Sequence, residues 1–223
     1  MEINIETNLF GKEIFIPDTV VNSWIVLIIL TIFALIVNNK IKKASTDEKP
    51  SAFLNVVEVL VEKVDGLVKS TMGPDKIFFA PYILTLVMFL LIANLFGLVG
   101  FTPPTSDYSV TFTLALMTFF LTQYYSFKTS GFLGYFKNFT EPMAFLTPLN
   151  ILGELANPIS LSFRLFGNIL SGVIIMGLLY SALGYLAPIF TPILHAYFDV
   201  FSGVLQTFIF SMLTMIFIGG AMD

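Results

Sequence analysis

Pro158-Ile159-Ser160-Leu161-Ser162-Phe163-Arg164-Leu165-Phe166-Gly167-Asn168 sets one arginine in the middle of a long apolar segment. The nearest basic residue upstream is Lys137, and none follows Arg164. A charge at the centre of a membrane helix costs about 2.5–3.5 kcal/mol on insertion scales. An arginine kept at that cost marks a functional position, and what it faces organises the reading of the chain.

The rest of the chain is as apolar as this stretch. Its 223 residues are 56% hydrophobic, 15% aromatic and only 12% charged, with a mean hydropathy of +0.87. That composition predicts an all-α polytopic membrane protein. The net charge of -4 and the scattered basic residues give no nucleic-acid footprint. The absence of cysteine excludes disulfides, thiolate metal sites and a cysteine nucleophile. Glu2, Glu6, Glu13 and Asp18 stand where a signal peptide would be positive, and no small-residue cleavage site follows the first apolar run. That run is expected to stay in the mature protein.

Working outward from Arg164, residues 143–183 form the longest apolar stretch, with Pro148 and Pro158 inside it. A perpendicular span needs only about 20 residues, so either this one is strongly tilted or its first part lies in the interface before it dips. A short uncharged turn at 184–191 leads to a final span at 193–218. Toward the N-terminus, 109–127 is a third span. Its Thr111, Thr113, Thr118 and Thr122 can bond back to their own helix carbonyls. Residues 101–108 read as an outside loop without basic residues, and 77–100 as the second span, with Asn94 its one strong hydrogen-bonding side chain.

Residues 51–72 differ. Phe53, Val56, Val57, Leu60, Val64 and Leu67 recur at helical spacing, while Glu58, Glu62, Lys63, Asp65 and Lys69 fill the other face. The pattern predicts an amphipathic helix on the membrane surface, with Ser51 as N-cap and Gly73-Pro74 as its end. Residues 20–37 are the first span, roughly 27 Å as a helix. They are preceded by a polar, acidic outside segment at 1–19 and followed by Lys40, Lys42, Lys43 and a polar loop at 44–50. Lys128 and Lys137 bracket a Gly-containing inside loop that runs to Glu141-Pro142.

The expectation is one membrane domain of five transmembrane helices plus one amphipathic surface helix, N-terminus outside and C-terminus cytoplasmic. Of the eleven Lys and Arg, Arg164 is intramembrane and Lys12 lies outside; the rest fall in inside segments, as the positive-inside rule asks. No internal repeat is visible, which disfavours an inverted-repeat transporter.

Two polar faces stand out. Gly153, Asn157, Ser160, Arg164, Asn168 and Ser171 share one side of the Arg164 helix. Glu154 lies ten residues before the arginine, about 15 Å along the axis. On the last helix, His195 (the only histidine), Asp199, Ser202 and Gln206 are spaced by fours and threes. Antiparallel neighbours joined by a short turn would set these faces side by side, with one hydrophilic route from outside to mid-membrane and another from there to the inside. Small residues on such faces also let helices pack closely, and a buried Arg164–Asp199 salt bridge is the structural alternative.

The segment at 158–168, PISLSFRLFGN, resembles the signature of the a subunit of bacterial rotary F-type ATP synthases. Leu205-Gln206-Thr207-Phe208-Ile209-Phe210 and Ala93-Asn94-Leu95-Phe96-Gly97 resemble further motifs of that family. The resemblance covers essentially the whole chain. It implies a multi-pass subunit of the bacterial plasma membrane whose last two helices form a long tilted hairpin facing the c-subunit ring. The b-subunit peripheral stalk, the remainder of the ATP synthase and the lipid bilayer are its further partners, and nucleic acid is not one. Arg164 would sit between two half-channels, with Asn168 and Gln206 orienting or hydrating its guanidinium. Many bacterial members carry a Glu nine residues after the arginine, where this chain has Val173. Asp199 is therefore expected to be the main titratable relay of the outer channel, with Ser202 on its face, His195 near its mouth and Asn94 nearby. Glu154, Asn157 and Ser160 are expected at the inner exit.

No phosphate loop, HExxH zinc motif or Gly-x-Ser-x-Gly elbow is present, so no catalytic residue, metal or cofactor is expected. ATP chemistry would belong to other subunits. The rival readings are a stand-alone ion channel or secondary transporter, and an intramembrane hydrolase built on His195 with a serine. The resemblance places the ion-binding carboxylate on the c subunit, and both proton and sodium stay open for this chain.

Overall fold

A computed structural model describes residues 5–9, 12–44, 51–140 and 143–222. The loop expected at 44–50 beyond Ala44, with Lys49, and Glu141-Pro142 lie outside the described residues. Helix dominates, and three stretches of the described residues are long and apolar enough to cross a membrane: Asp18–Lys43, Pro74–Val99 and Thr147–Gly220.

One feature departs from the all-α expectation. Strands β1 (Ile5–Leu9) and β2 (Lys12–Ile16) pair antiparallel, with Ile5 opposite Ile16 and Thr7 opposite Ile14. β-branched residues at alternate positions suit a ladder better than a helix, and the expected acidic segment concealed that alternation.

Helix α1 (Asp18–Lys43) is apolar along most of its length and buries Thr19, Val21, Asn22 and Val26 near its start, while further along Phe33 and Lys40 meet the ring of Phe53. Trp24, Ile28, Ile32 and Leu35 are exposed, as a helix solvated by lipid requires. Lys40, Lys42 and Lys43 in its last turn complement the helix dipole. Its N-terminal end is tied to the 100–108 connection. Thr19 Oγ1 donates to Asp107 Oδ2 at 2.7 Å, Thr102 Oγ1 to Asp18 Oδ2 at 2.7 Å, and Asn22 Nδ2 to Thr102 O at 2.9 Å.

Helix α2 (Ala52–Met72) is capped by Ser51, whose hydroxyl accepts the Leu54 N–H at 3.4 Å, and ends at Gly73 with φ +101°. Its buried stripe is Val64, Val68 and Met72, packed on Phe79, Ile83, Met215 and Ile218. Val56, assigned above to the apolar face, is 69% exposed. It lies off the stripe that continues back from Val64, and only the C-terminal half of α2 is packed against the core.

Helix α3 (Ala80–Leu95), extended by a tighter turn at Phe96–Val99, is the central element and packs against α1, α2 and the last helix. Helix α4 (Tyr108–Thr140) overruns the expected third span by a dozen residues, so the loop expected between Lys128 and Lys137 is helical, broken only at Gly131, with φ +69°. Phe127, Phe132, Tyr135, Phe136 and Phe139 form a ladder of edge-on rings through this region. Aromatic pairs at these spacings support a helix that the glycines alone would weaken. Within the described residues α4 is not among the stretches apolar enough to span, because its threonines, Gln123 and tyrosines dilute the hydropathy.

Helix α5 (Thr147–Leu183) is continuous through Pro158 and buries Leu161, Leu165, Ile169 and Met176 along one side. The chain turns at Gly184, φ +48°, and re-enters helix almost at once, so the expected turn at 184–191 shrinks to three residues. Helix α6 (Ala187–His195), a π-helical turn (Ala196–Phe201) and α7 (Ser202–Gly220) complete the fold. Tyr180 meets His195, Gly172 faces Phe198 and Asn168 meets Gln206, so this segment runs antiparallel to α5.

Candidate functional site

The polar residues of α5 and of the segment after it fall into three groups along the helix axis, and α3 and α4 supply the walls. The first group lies toward the Gly184 turn. Here a cleft of about 680 Å³ is lined by Gly97, Thr102, Val173, Met176, Tyr180, His195 and Asp199 among others. The π-helical turn begins directly after His195 and contains Asp199. Such single turns break the ordinary register and recur at functional sites. The His195 Nδ1 and Asp199 Oδ2 atoms are hydrogen-bonded, and Tyr180 Oη lies 2.6 Å from His195 Nε2. Both ring nitrogens are thus engaged. The side chains of His195 and Asp199 are 26% and 14% exposed, so they are held in the protein yet open to the cleft. A Cβ on Gly97 would sit 3.5 Å from the Asp199 carboxyl, which places α3 directly against it. Val173, nine residues after Arg164, lines this cleft.

The second group is at the other end of α5. A cleft of about 660 Å³ is lined by Gln123, Ser126, Tyr135, Asn150, Gly153, Glu154 and Asn157 among others. Gln123 Nε2 donates to Glu154 Oε2 at 3.0 Å, and Tyr135 Oη donates to Gln123 Oε1 at 2.7 Å. Burial pushes the Tyr135 phenol above its ordinary range, and the Glu154 carboxylate adds to the rise. The phenol therefore stays a donor across the physiological range. A small cavity of about 10 Å³ continues this cleft toward Thr118, Pro158 and Leu161. The two clefts share no lining residue.

Arg164 stands between them on α5. Counted along the axis, Asn157 of one cleft is about 10 Å away and Val173 of the other about 13 Å. Arg164 is exposed and makes no hydrogen bond or ion pair with any described residue. The salt bridge to Asp199 does not form, because Asp199 is held by His195. One turn on, Asn168 Nδ2 donates to Gln206 Oε1 at 2.7 Å; Gln206 is buried, and Asn168 lies on the open flank. Ser160 is exposed on the same flank, and Ser202 is half-buried at the start of α7.

Asn94 is placed differently from the rest. It is 2% exposed. Its amide donates to Gly203 O and Thr207 Oγ1, each at 3.0 Å, and accepts from Thr105 Oγ1 at 2.7 Å. Every strong direction of the amide is occupied by protein, so Asn94 joins α3 to α7 and to the 100–108 connection.

Tyr180, Gln123 and Tyr135 carry geometry that sequence reasoning did not single out. Gln123 alone left a trace, as the one amide of the expected span at 109–127, whose other polar side chains are hydroxyls. Tyr180 is visible only once the pairing of α5 with α6 is known.

The family model of the ATP synthase A chain matches residues 20–219, from α1 to the end of α7. The sodium ion specific ATP synthase subunit a of Propionigenium modestum is 39% identical, over 98% of this chain and 78% of that protein. ATP synthase subunit a 2 of Syntrophotalea carbinolica is 35% identical over 92% and 85%, and ATP synthase subunit a of Trichlorobacter lovleyi 33% over 92% and 87%. The match takes in Arg164 and the residues lining the clefts on either side of it, Gly220 and Ala221 apart, and the chain belongs to the ATP synthase A chain family, as a membrane-sector subunit of bacterial F-type ATP synthase.

Proposed function

We propose that this chain is the non-catalytic, ion-conducting stator subunit of its ATP synthase. It provides two aqueous half-channels that load and unload the carboxylates of the c-subunit ring, so that proton or sodium flow drives rotation. The observation that carries this reading is Arg164. It has no ion partner among the described residues, and it stands between two clefts that have no lining residue in common. An arginine so placed needs a carboxylate from another chain, and the open polar flank of α5 is the surface on which a ring would bring one.

In this mechanism the His195 cleft is the outer half-channel, with Asp199 as its titratable relay, and the Glu154 cleft is the inner exit, with Asn157 and Ser160 along the way. A ring carboxylate arriving at Arg164 is drawn into its ionised form and gives up its ion to the exit side. The guanidinium keeps its charge throughout and blocks a direct leak from one cleft to the other. Asn168 and Gln206 orient it. Each charge moved contributes about 2.3 kcal/mol per 100 mV of membrane potential. Five crossings put the N-terminus outside and the C-terminus in the cytoplasm of a bacterial plasma membrane. The last two form a long tilted hairpin against the ring, and the peripheral-stalk b subunit contacts the remainder. A stand-alone channel would need a path continuous within this chain.

The test is ion-driven ATP synthesis by vesicles that contain the assembled complex. Asp199→Asn is expected to abolish most of it, and unchanged synthesis would overturn the assignment of the outer relay.

A further inference from the structure

We propose that Tyr180 is a positioning residue of the outer half-channel, and that the His195–Asp199 pair it supports carries the ion as a proton. The inference rests on the reading of the His195 cleft given above. Among the residues lining that cleft only Tyr180, His195 and Asp199 titrate; Thr102 and Thr191 add hydroxyls, and no lysine, arginine or glutamate is present.

The three groups form one line, Tyr180 Oη to His195 Nε2 and His195 Nδ1 to Asp199 Oδ2. An ionised Asp199 only accepts, so the ring must present Nδ1–H to it. In a neutral ring Nε2 is then a bare acceptor, and Tyr180 O–H is the donor that pairs with it. When the pair takes up one proton from water in the cleft, there are two places for it. On the ring it gives an imidazolium, whose Nε2–H donates to Tyr180 Oη. When the imidazolium passes its Nδ1 proton to Asp199, the carboxylic acid donates to Nδ1 and the newly gained proton stays on Nε2, still donating to Oη. The proton then leaves from Asp199 toward the c-ring, and water in the cleft takes the Nε2 proton while another is bound at Nδ1, restoring the starting state. A hydroxyl both donates and accepts, so Tyr180 satisfies Nε2 in every one of these states. Phenylalanine satisfies it in none. Fixing the far nitrogen of a working histidine selects its tautomer and its direction.

The measurement is ATP synthesis by liposomes holding the whole complex, driven by an imposed gradient, with the pH of the Asp199 side varied. Rates are normalised to the amount of this subunit in the purified complex. Tyr180→Phe is expected to slow synthesis about tenfold, the effect of one hydrogen bond to a charged partner, and to displace the pH profile. In a His195→Asn background the same change is expected to add nothing. Full rate and an unmoved profile in Tyr180→Phe, or equal losses with and without His195, would overturn the proposal. Asp199→Asn, measured alongside, separates the two levels. If Asp199→Asn is silent, the outer half-channel reading fails and Tyr180 falls with it. If Asp199→Asn blocks synthesis while Tyr180→Phe is silent, only the role of Tyr180 is lost.

Discussion

Asn168 on α5 donates its amide to Gln206 on α7 across 2.7 Å, one turn from Arg164 and between the two clefts. This bond ties the arginine-bearing helix to the helix that carries Asp199 through the π-helical turn. It also leaves the Asn168 carbonyl oxygen as the acceptor on the same flank as the guanidinium, four residues away on the helix.

Breaking that bond is expected to weaken coupling more than stability. Asn168→Ala and Gln206→Leu should each lower ion-driven ATP synthesis roughly tenfold, the scale of a hydrogen bond that orients a charged group. The double variant should be little worse than either single one, since the two residues act through one contact. Additive losses in vesicle assays of the three variants would separate their roles.

Val173 offers a gain-of-function test. It lines the same cleft as Asp199, nine residues after Arg164 on α5. Val173→Glu placed in an Asp199→Asn background is expected to restore a measurable fraction of ATP synthesis. No recovery, with the subunit present at normal level in the complex, would mean that the cleft needs its carboxylate at one point only.

Asn94 should behave as a packing residue. Asn94→Ala removes three hydrogen bonds inside a buried contact of α3 and is expected to destabilise the chain by about 1–3 kcal/mol. Gly203→Ala should act at the same place, because its new Cβ would stand 3.1 Å from the Asn94 Cβ. Thermal unfolding of the detergent-solubilised complex reads both. An undisturbed melting temperature with lost transport would instead put Asn94 in the ion path.

The legible part of this fold was local. The stripe of α2, the lysines closing α1 and the polar face around Arg164 follow from spacing along one helix. Asn168 and Gln206 could be paired because each lies on a periodic face and a turn joins the helices. Three things were not legible. The continuation of α4 to Thr140 depends on a ladder of rings that outweighs Gly131 and Gly134. The π-helical turn at Ala196–Phe201 leaves no mark in composition, yet it contains Asp199. Tyr180 and Gln123 matter through partners 15 and 31 residues away, and no single-helix period reports such contacts.

Arg164 itself is where the account is most exposed. The direct measurement is ATP-driven ion pumping and gradient-driven ATP synthesis by the same reconstituted complex carrying Arg164→Ala. Both are expected to be lost, with the subunit still assembled, because the ring carboxylates no longer meet the charge that separates the two clefts. Ion pumping retained at the wild-type rate would contradict it.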